Sequence, residues 1–190
     1  MNADFAPLPE GEFGVILADP PWRFVTWSAK GEGKSPQRHY GCLPIEAIAA
    51  LPVASVAARD CGLFLWATWP TMPQAFALID AWGFEYSGLG WEWCKYNGAT
   101  DRYAFGGGLG GTRKNVEPCL LARRGRPKRL ANGVRDLLFA KRREHSRKPD
   151  AQYERCQALY AGPYLELFAR QAWPGWTAWG NQVGKFGGVS

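Results

Sequence analysis

At 190 residues the chain is long enough for one well-buried domain and too short for two ordinary ones, so a single domain over residues 1–190 is expected. An apolar content of 46% with 21% charged residues is that of a globular protein. No run reaches the ~18 apolar residues of a membrane span, and Met1–Pro7 carries neither the basic start nor the apolar core of a signal peptide; a soluble, cytoplasmic protein is expected.

The first element in chain order is the most informative. Residues 13–24 form an apolar run that ends in Asp19-Pro20-Pro21-Trp22. This pattern predicts a buried strand whose end delivers a carboxylate to the C-terminal edge of a sheet, where open α/β sheets bind ligands. The two prolines stiffen the turn and remove two N–H donors, so the carbonyls beside Asp19 are expected to face the site as acceptors. Rigid acceptors beside an indole suit a flat base with an exocyclic amino group: the Asp19 carboxylate and Pro20 carbonyl take the amino hydrogens, and Trp22 stacks on or borders the ring. Read alone, Asp-Pro-Pro is equally a turn that caps a strand.

Further along, Gly62–Ala67 reads as a second buried strand, followed by a helix with Met72, Phe76, Ile79 and Trp82 on one face and Gly83 at its end. Phe84–Lys95 alternates as a strand, and Glu117–Ala122 reads as another. Pro149 opens a helix through Tyr160 with Tyr153, Cys156 and Tyr160 on one side. Tyr164–Ala169 and Trp176–Trp179 complete the strands. Strands alternating with helices predict a mostly parallel sheet. Three segments, Arg23–Tyr40, Asn97–Lys114 and Ala140–Lys148, fit no element and read as functional loops. The middle one holds the glycine-rich Phe105–Gly111, which lacks the strand–turn–helix setting of a dinucleotide fingerprint. Five widely spaced cysteines with no C-x-x-C pair and only His39 and His145 beside them predict buried thiols and neither a disulfide framework nor a metal site.

The net charge of +6 is unevenly placed. Residues 113–148 hold thirteen Lys/Arg against Glu117, Asp136 and Glu144, a local +10 that leaves −4 for the rest. The two foci are Arg123–Arg129 and Lys141–Lys148. A solvated face accounts for many charge runs; here a polyanion, DNA or RNA, is the leading partner, because Lys and Arg that neutralise phosphates release counterions.

Four blocks in order carry a family resemblance: Asp19–Trp22; Leu63–Trp66 with Trp82-Gly83-Phe84; Ser146–Asp150 with Tyr153; and Glu166–Arg170 with Gly175-Trp176 and Gly180-Asn181-Gln182. Together they make the chain similar to MT-A70-type adenine N6-methyltransferases, which use S-adenosylmethionine. The resemblance implies a Rossmann-like α/β methyltransferase fold, with a mostly parallel sheet flanked by helices and the catalytic motif preceding the cofactor segment. It implies catalytic roles for Asp19, Pro20, Pro21 and Trp22. It implies cofactor contacts from Asp19, Lys148 (to the methionine carboxylate), Glu166 and Arg170 (near the ribose), Phe168, and Asn181 and Gln182 (near the adenine). Tyr40, Glu117, Arg113, Lys114, Arg142 and Arg143 are the implied substrate residues. One departure stands out: the family's ribose-binding His and Asn are replaced by Ala172 and Trp173, and Trp173 either packs in compensation or obstructs the pocket. The implied function is methyl transfer to adenine N6 in nucleic acid, DNA ahead of RNA; the alternative is a non-catalytic nucleic-acid-binding subunit. A homodimer paired through exposed tryptophan-rich and glycine-rich segments is a further expectation.

Overall fold

The computed structural model describes residues 6–22, 43–97, 103 and 111–187. Tyr40, the Arg23–Tyr40 loop and most of the glycine-rich run lie outside the described residues. Alternating burial along the apolar runs sets the layers. In β1 (Phe13–Ala18), Val15 and Leu17 face one side of the sheet, and Ile16 and Ala18 the other. All four are inaccessible. The run reads as continuously apolar because both faces of the sheet are covered. On one face lie α1 (Ile45–Ala49) and α2 (Met72–Ala81), packed against Ile16, Leu63, Leu65, Leu165 and Leu167. On the other lies α3 (Ala151–Leu159), packed against Val15, Leu17, Phe64 and Trp66.

The remaining strands are β2 (Ala57–Trp66), β3 (Glu85–Tyr96), β4 (Val116–Arg124), β5 (Leu137–Lys141), β6 (Tyr164–Leu167) and β7 (Trp176–Trp179). They form a seven-stranded sheet in the order β5-β3-β4-β2-β1-β6-β7. β4 is antiparallel to both its neighbours, and every other pairing is parallel. This is the expected α/β fold with a mostly parallel sheet. Chain excursions from β1 go to β2 on one side and return as β6 on the other, so the C-terminal ends of β1 and β6 border the crevice where such sheets bind ligands. Register makes the edge common: Leu65, Ala18, Leu167 and Trp179 stand side by side across β2, β1, β6 and β7. The segments that follow them, carrying Asp19, Phe168 to Arg170 and Gly180 to Gln182, therefore emerge together.

Several expectations need correction. β5 takes in Ala140 and Lys141, which had read as loop. It is a five-residue edge strand with Leu138 turned into the core, while Leu137 and Phe139 are 47% and 56% exposed. The inward stripe of α2 is Ala75, Leu78 and Ile79, continued by Trp82. Phe76 lies off that stripe on the rim, edge-on to Tyr86 of β3 with ring centroids 5.0 Å apart. The described tryptophans do not form an exposed pairing surface. Among the described residues only Trp69 is an exposed indole; the others are buried or half-buried, and several hand their N–H groups to carbonyls, as Trp22 does to Trp66, Trp82 to Ile48 and Trp93 to Ala140.

The ends of β6 and β7 approach so closely that a Cβ at Gly180 would meet the backbone N and O of Ala169 at 2.8 Å. Neither backbone atom can swing away. Gly180→Ala is expected to cost about 1–3 kcal/mol of stability, read from urea unfolding. Gly184→Ala, where a Cβ meets nothing within 4 Å, should stay within about 0.5 kcal/mol of wild type.

Candidate active site

Asp19 is the first residue after β1, and its N–H reaches the Leu167 carbonyl at the end of β6, at 3.5 Å. Its carboxylate accepts two hydrogen bonds from the Lys148 ammonium, to Oδ1 at 2.8 Å and Oδ2 at 2.9 Å. Lys148 Nζ also lies 2.8 Å from Glu117 Oε1, Lys95 pairs with the other Glu117 oxygen, and Arg170 Nη2 stands 3.8 Å from Asp19 Oδ2. The result is an alternating chain of charges, Lys95, Glu117, Lys148, Asp19 and Arg170, most of it removed from water. Strand geometry explains it. β4 runs backwards, so Glu117, the second residue of the strand, arrives at the edge where β1, β2 and β3 end, directly opposite Trp93. The indoles form the floor: Lys148 Nζ sits 5.2 Å from the Trp66 ring centroid, and Lys95 Nζ 4.8 Å from that of Trp93.

Electrostatics follow the geometry. Burial alone would raise the Glu117 carboxyl, but the Lys148 and Lys95 ammoniums override it and hold the group at about 2. Burial would lower Lys148, and the Asp19 and Glu117 carboxylates override it, raising the ammonium above the ordinary lysine range.

These groups line a cavity of about 390 Å³ whose wall also includes Pro20, Trp22, Trp93, Asn97, Arg142 and Arg143. Trp22 is 6% exposed and hydrogen-bonds through Nε1 to the Trp66 carbonyl at 3.0 Å, which fixes its ring against the cavity. The Pro20 and Pro21 carbonyls, expected to be open acceptors, accept from the N–H of Trp22 (2.8 Å) and Leu43 (3.3 Å). One lone pair therefore remains on each.

A smaller pocket adjoins the first through Asp19, Lys148 and Arg170, and is walled by Tyr153, Glu166, Phe168 and Gln171. Leu165 and Leu167 face the other core, so Glu166 faces α3, and the Tyr153 hydroxyl donates to its Oε2 at 2.8 Å. Tyr153 also accepts from Gln171 Nε2, which donates to Asp150 as well. Two non-glycine residues among those described have positive φ, Ser146 at 66° and Phe168 at 62°. Both line this pocket, as strained backbone often does at a working site.

The structure thus brings together Asp19, Pro20, Trp22, Glu117, Arg142, Arg143, Lys148, Glu166, Phe168 and Arg170. Of the other described residues, Pro21 follows Pro20 in the same turn but lines neither pocket. Asn181 and Gln182 follow β7 at the same sheet edge but line neither pocket, and Arg113 and Lys114 precede β4 outside the cavity wall. Arg143 lines the cavity with its fork already occupied: it donates to both Asp150 oxygens, at 2.6 and 2.7 Å, and to the Lys148 carbonyl. It braces the Arg142–Lys148 loop instead of opening to a phosphate. The basic focus at Arg123–Arg129 lies at the opposite edge, since Arg123 and Arg124 pair with Gly62 and Cys61 in the first half of β2. At ~3.3 Å per residue the span from Cys61 to Trp66 puts it roughly 17 Å from the site, so it and the Lys141–Lys148 focus cannot grip the same nucleotide. Trp173 stacks on Tyr153 at 4.4 Å and 12° and lines neither pocket; it packs and does not obstruct.

Sequence reading missed Lys95, Asp150 and Gln171. Lys95 had a signal, a cation two residues beyond Trp93 in an alternating strand. Its partner depends on the β3/β4 register, which spacing does not disclose.

Residues 13–182 match the MT-A70 family model. The chain is 32% identical to the type II methyltransferase M.MunI of Mycoplasma sp., over 96% of this chain and 83% of that protein. It is 31% identical to an N(6)-adenosine-methyltransferase MT-A70-like protein of Arabidopsis thaliana, over 91% of this chain and 24% of the relative. It is also 31% identical to the human N(6)-adenine-specific methyltransferase METTL4, over 92% and 38% respectively. It therefore spans most of the first and well under half of the other two. The chain belongs to the MT-A70 family of adenine N6-methyltransferases.

Proposed function

We propose that this chain, as one methyltransferase domain over residues 1–190, methylates adenine N6 in a nucleic acid, with DNA ahead of RNA. The observation that carries the reading is the Asp19 carboxylate held at the sheet edge by Lys148, in the wall of a cavity it shares with Pro20 and Trp22. An adenine amino group is a poor nucleophile because its lone pair is delocalised into the ring. Asp19 and the remaining lone pair of Pro20 would accept its two hydrogens, turning the nitrogen lone pair toward the incoming methyl and receiving the proton that N6 gives up. Placement and fixed charge then supply the catalysis.

The residues fit S-adenosylmethionine. Lys148 is a buried cation for its amino-acid carboxylate, Glu166 and Arg170 flank an adjoining pocket large enough for a ribose hydroxyl, and Gln171 carries an unsatisfied buried oxygen there. Asn181 and Gln182 are proposed to border its adenine. Bound there, the cofactor supplies an electrophilic methyl carbon on a positively charged sulfur. A base must leave the stack to reach Asp19. Arg142 in the cavity wall, with Arg113 and Lys114 farther out, is proposed to hold the flanking phosphates. The preference for DNA is supported by the match to M.MunI over most of its length. The Arabidopsis relative, whose name specifies adenosine, is matched over a quarter of its length. No helix among the described residues is long and apolar enough to cross a membrane.

Asp19→Asn, nearly isosteric but neutral, is expected to lower methyl transfer by about 100-fold or more, followed as tritium passing from labelled S-adenosylmethionine to adenine-containing DNA. Transfer at the wild-type rate would remove Asp19 from the mechanism, and faster transfer to RNA than to DNA would reverse the substrate order.

Glu166 gives a second expectation. Burial lifts its carboxyl to about 8 against an ordinary 4.5, with the Asp19 charge raising it further and the Tyr153 hydrogen bond opposing. A group raised on folding contributes stability that is complete below the unfolded value and lost as pH rises through the folded one. Glu166→Gln keeps the acceptor for Tyr153 and removes the titration. The ligand-free variant should gain on wild type in melting temperature between pH 5 and pH 8; a difference that does not change with pH would contradict this.

A further inference from the structure

The replacement of the expected ribose-binding pair by Ala172 and Trp173 leaves an open question about this chain: what else holds the cofactor sugar. Trp173 is turned onto Tyr153, and Ala172 offers no polar side chain. The residue before them is different. Gln171 is 4% exposed, and its amide nitrogen donates to Asp150 Oδ1 at 3.1 Å and to the Tyr153 hydroxyl at 3.3 Å. This orientation is forced, because the Asp150 carboxylate can only accept and so must meet the NH₂ side of the amide. The carbonyl oxygen, Gln171 Oε1, is then buried with no partner among the described residues. An acceptor left so costs stability unless something donates to it.

Its surroundings say what that donor is. Gln171 and Glu166 flank one phenol, since Tyr153 accepts from Gln171 and donates to Glu166. Both line the small pocket that opens beside Asp19 and Lys148. That pocket measures about 20 Å³, room for a single hydroxyl-sized group. Arg147 lines it too, and its Nε–H is likewise buried without a partner among the described residues. An unpaired acceptor and an unpaired donor in one small wall complement a group that both donates and accepts.

We propose that Gln171 Oε1 accepts a hydrogen bond from a ribose hydroxyl of the S-adenosylmethionine cofactor, making Gln171 a sugar-binding residue of this chain. The inference rests on the cofactor reading above. Asp150, braced by Arg143, holds the amide in place from behind. The Arg142–Lys148 loop and the sugar site are thereby joined through one carboxylate.

The test is calorimetric binding of S-adenosylhomocysteine and of its 2′-deoxy and 3′-deoxy counterparts to wild type and to Gln171→Leu, with circular dichroism melting to confirm folding. Gln171→Met, closer in shape, replaces Leu where Leu does not fold. Deleting the hydroxyl that Gln171 receives should weaken wild-type binding about tenfold and the variant's by less than about threefold, a non-additivity that a purely structural brace would not produce. Equal losses in wild type and variant for both hydroxyls would overturn the assignment and leave Gln171 as a brace, or as a residue that holds a water. If wild type binds S-adenosylhomocysteine, a negative result refutes Gln171 alone. If wild type does not bind it, the cofactor reading itself fails and this inference falls with it.

Discussion

The buried ammonium of Lys148 is the constraint around which the site is organised. A lysine 7% exposed is costly to desolvate, and attraction in the interior offsets that cost only when geometry and partner count are good. Here two carboxylates from distant parts of the chain, Asp19 and Glu117, meet the same nitrogen at 2.8 Å. The ammonium holds Glu117 well below the ordinary carboxylate range, and removal of Lys148 would leave two buried carboxylates facing each other. Lys95 and Arg170 extend the alternation at both ends. The arrangement holds the carboxylate proposed to be catalytic in a fixed orientation, which is what preorganised catalysis asks of a site.

That arrangement is possible only because of the sheet. Six strands run toward this edge with their C-terminal ends, and β4, the reversed strand, reaches it with its N-terminal end. A parallel β4 would carry Glu117 to the far side of the molecule and leave Lys148 with one partner. The same reversal carries Arg123 and Arg124 away to the opposite edge, so one strand both completes the charge chain and separates the two basic foci. The helices divide the labour by face. α1 and α2 bury the aliphatic side of β1, β2 and β6, whereas α3 brings Tyr153 and Gln152 to the side where Glu166 and Trp66 need hydrogen-bond partners.

Much of this was legible in the amino-acid sequence, and the limits are physical. The apolar runs of β1, β2, β4 and β6 declare themselves because a strand covered on both faces must be apolar throughout. Asp19 stands out because a carboxylate at the end of such a run has few structural uses. β5 is different: with only Leu138 and the small Ala140 turned to the core, it exists by pairing with β3, a long-range contact that no local pattern encodes. Phe76 misled because aromatic size outweighed the small Ala75 that actually faces the sheet. Charge counting finds the two basic foci but carries no direction, and only the strand order shows that they stand at two different edges. Gln171, Asp150 and Lys95 escaped for a related reason. Their meaning lies in the pairing of Gln171 with Tyr153 and Asp150, and of Lys95 with Glu117, each eighteen or more positions apart, whereas Lys148 and Glu166 were found through a family pattern already holding that three-dimensional information.

The most direct test of the account is nucleoside mass spectrometry on DNA and RNA from a host lacking its own adenine methylation, expressing either the wild-type chain or its Asp19→Asn variant. The account predicts N6-methyldeoxyadenosine in the DNA of the wild-type strain and none in that of the variant. Absence of methylated adenine from both polymers in the wild-type strain, or equal amounts with the variant, would contradict it.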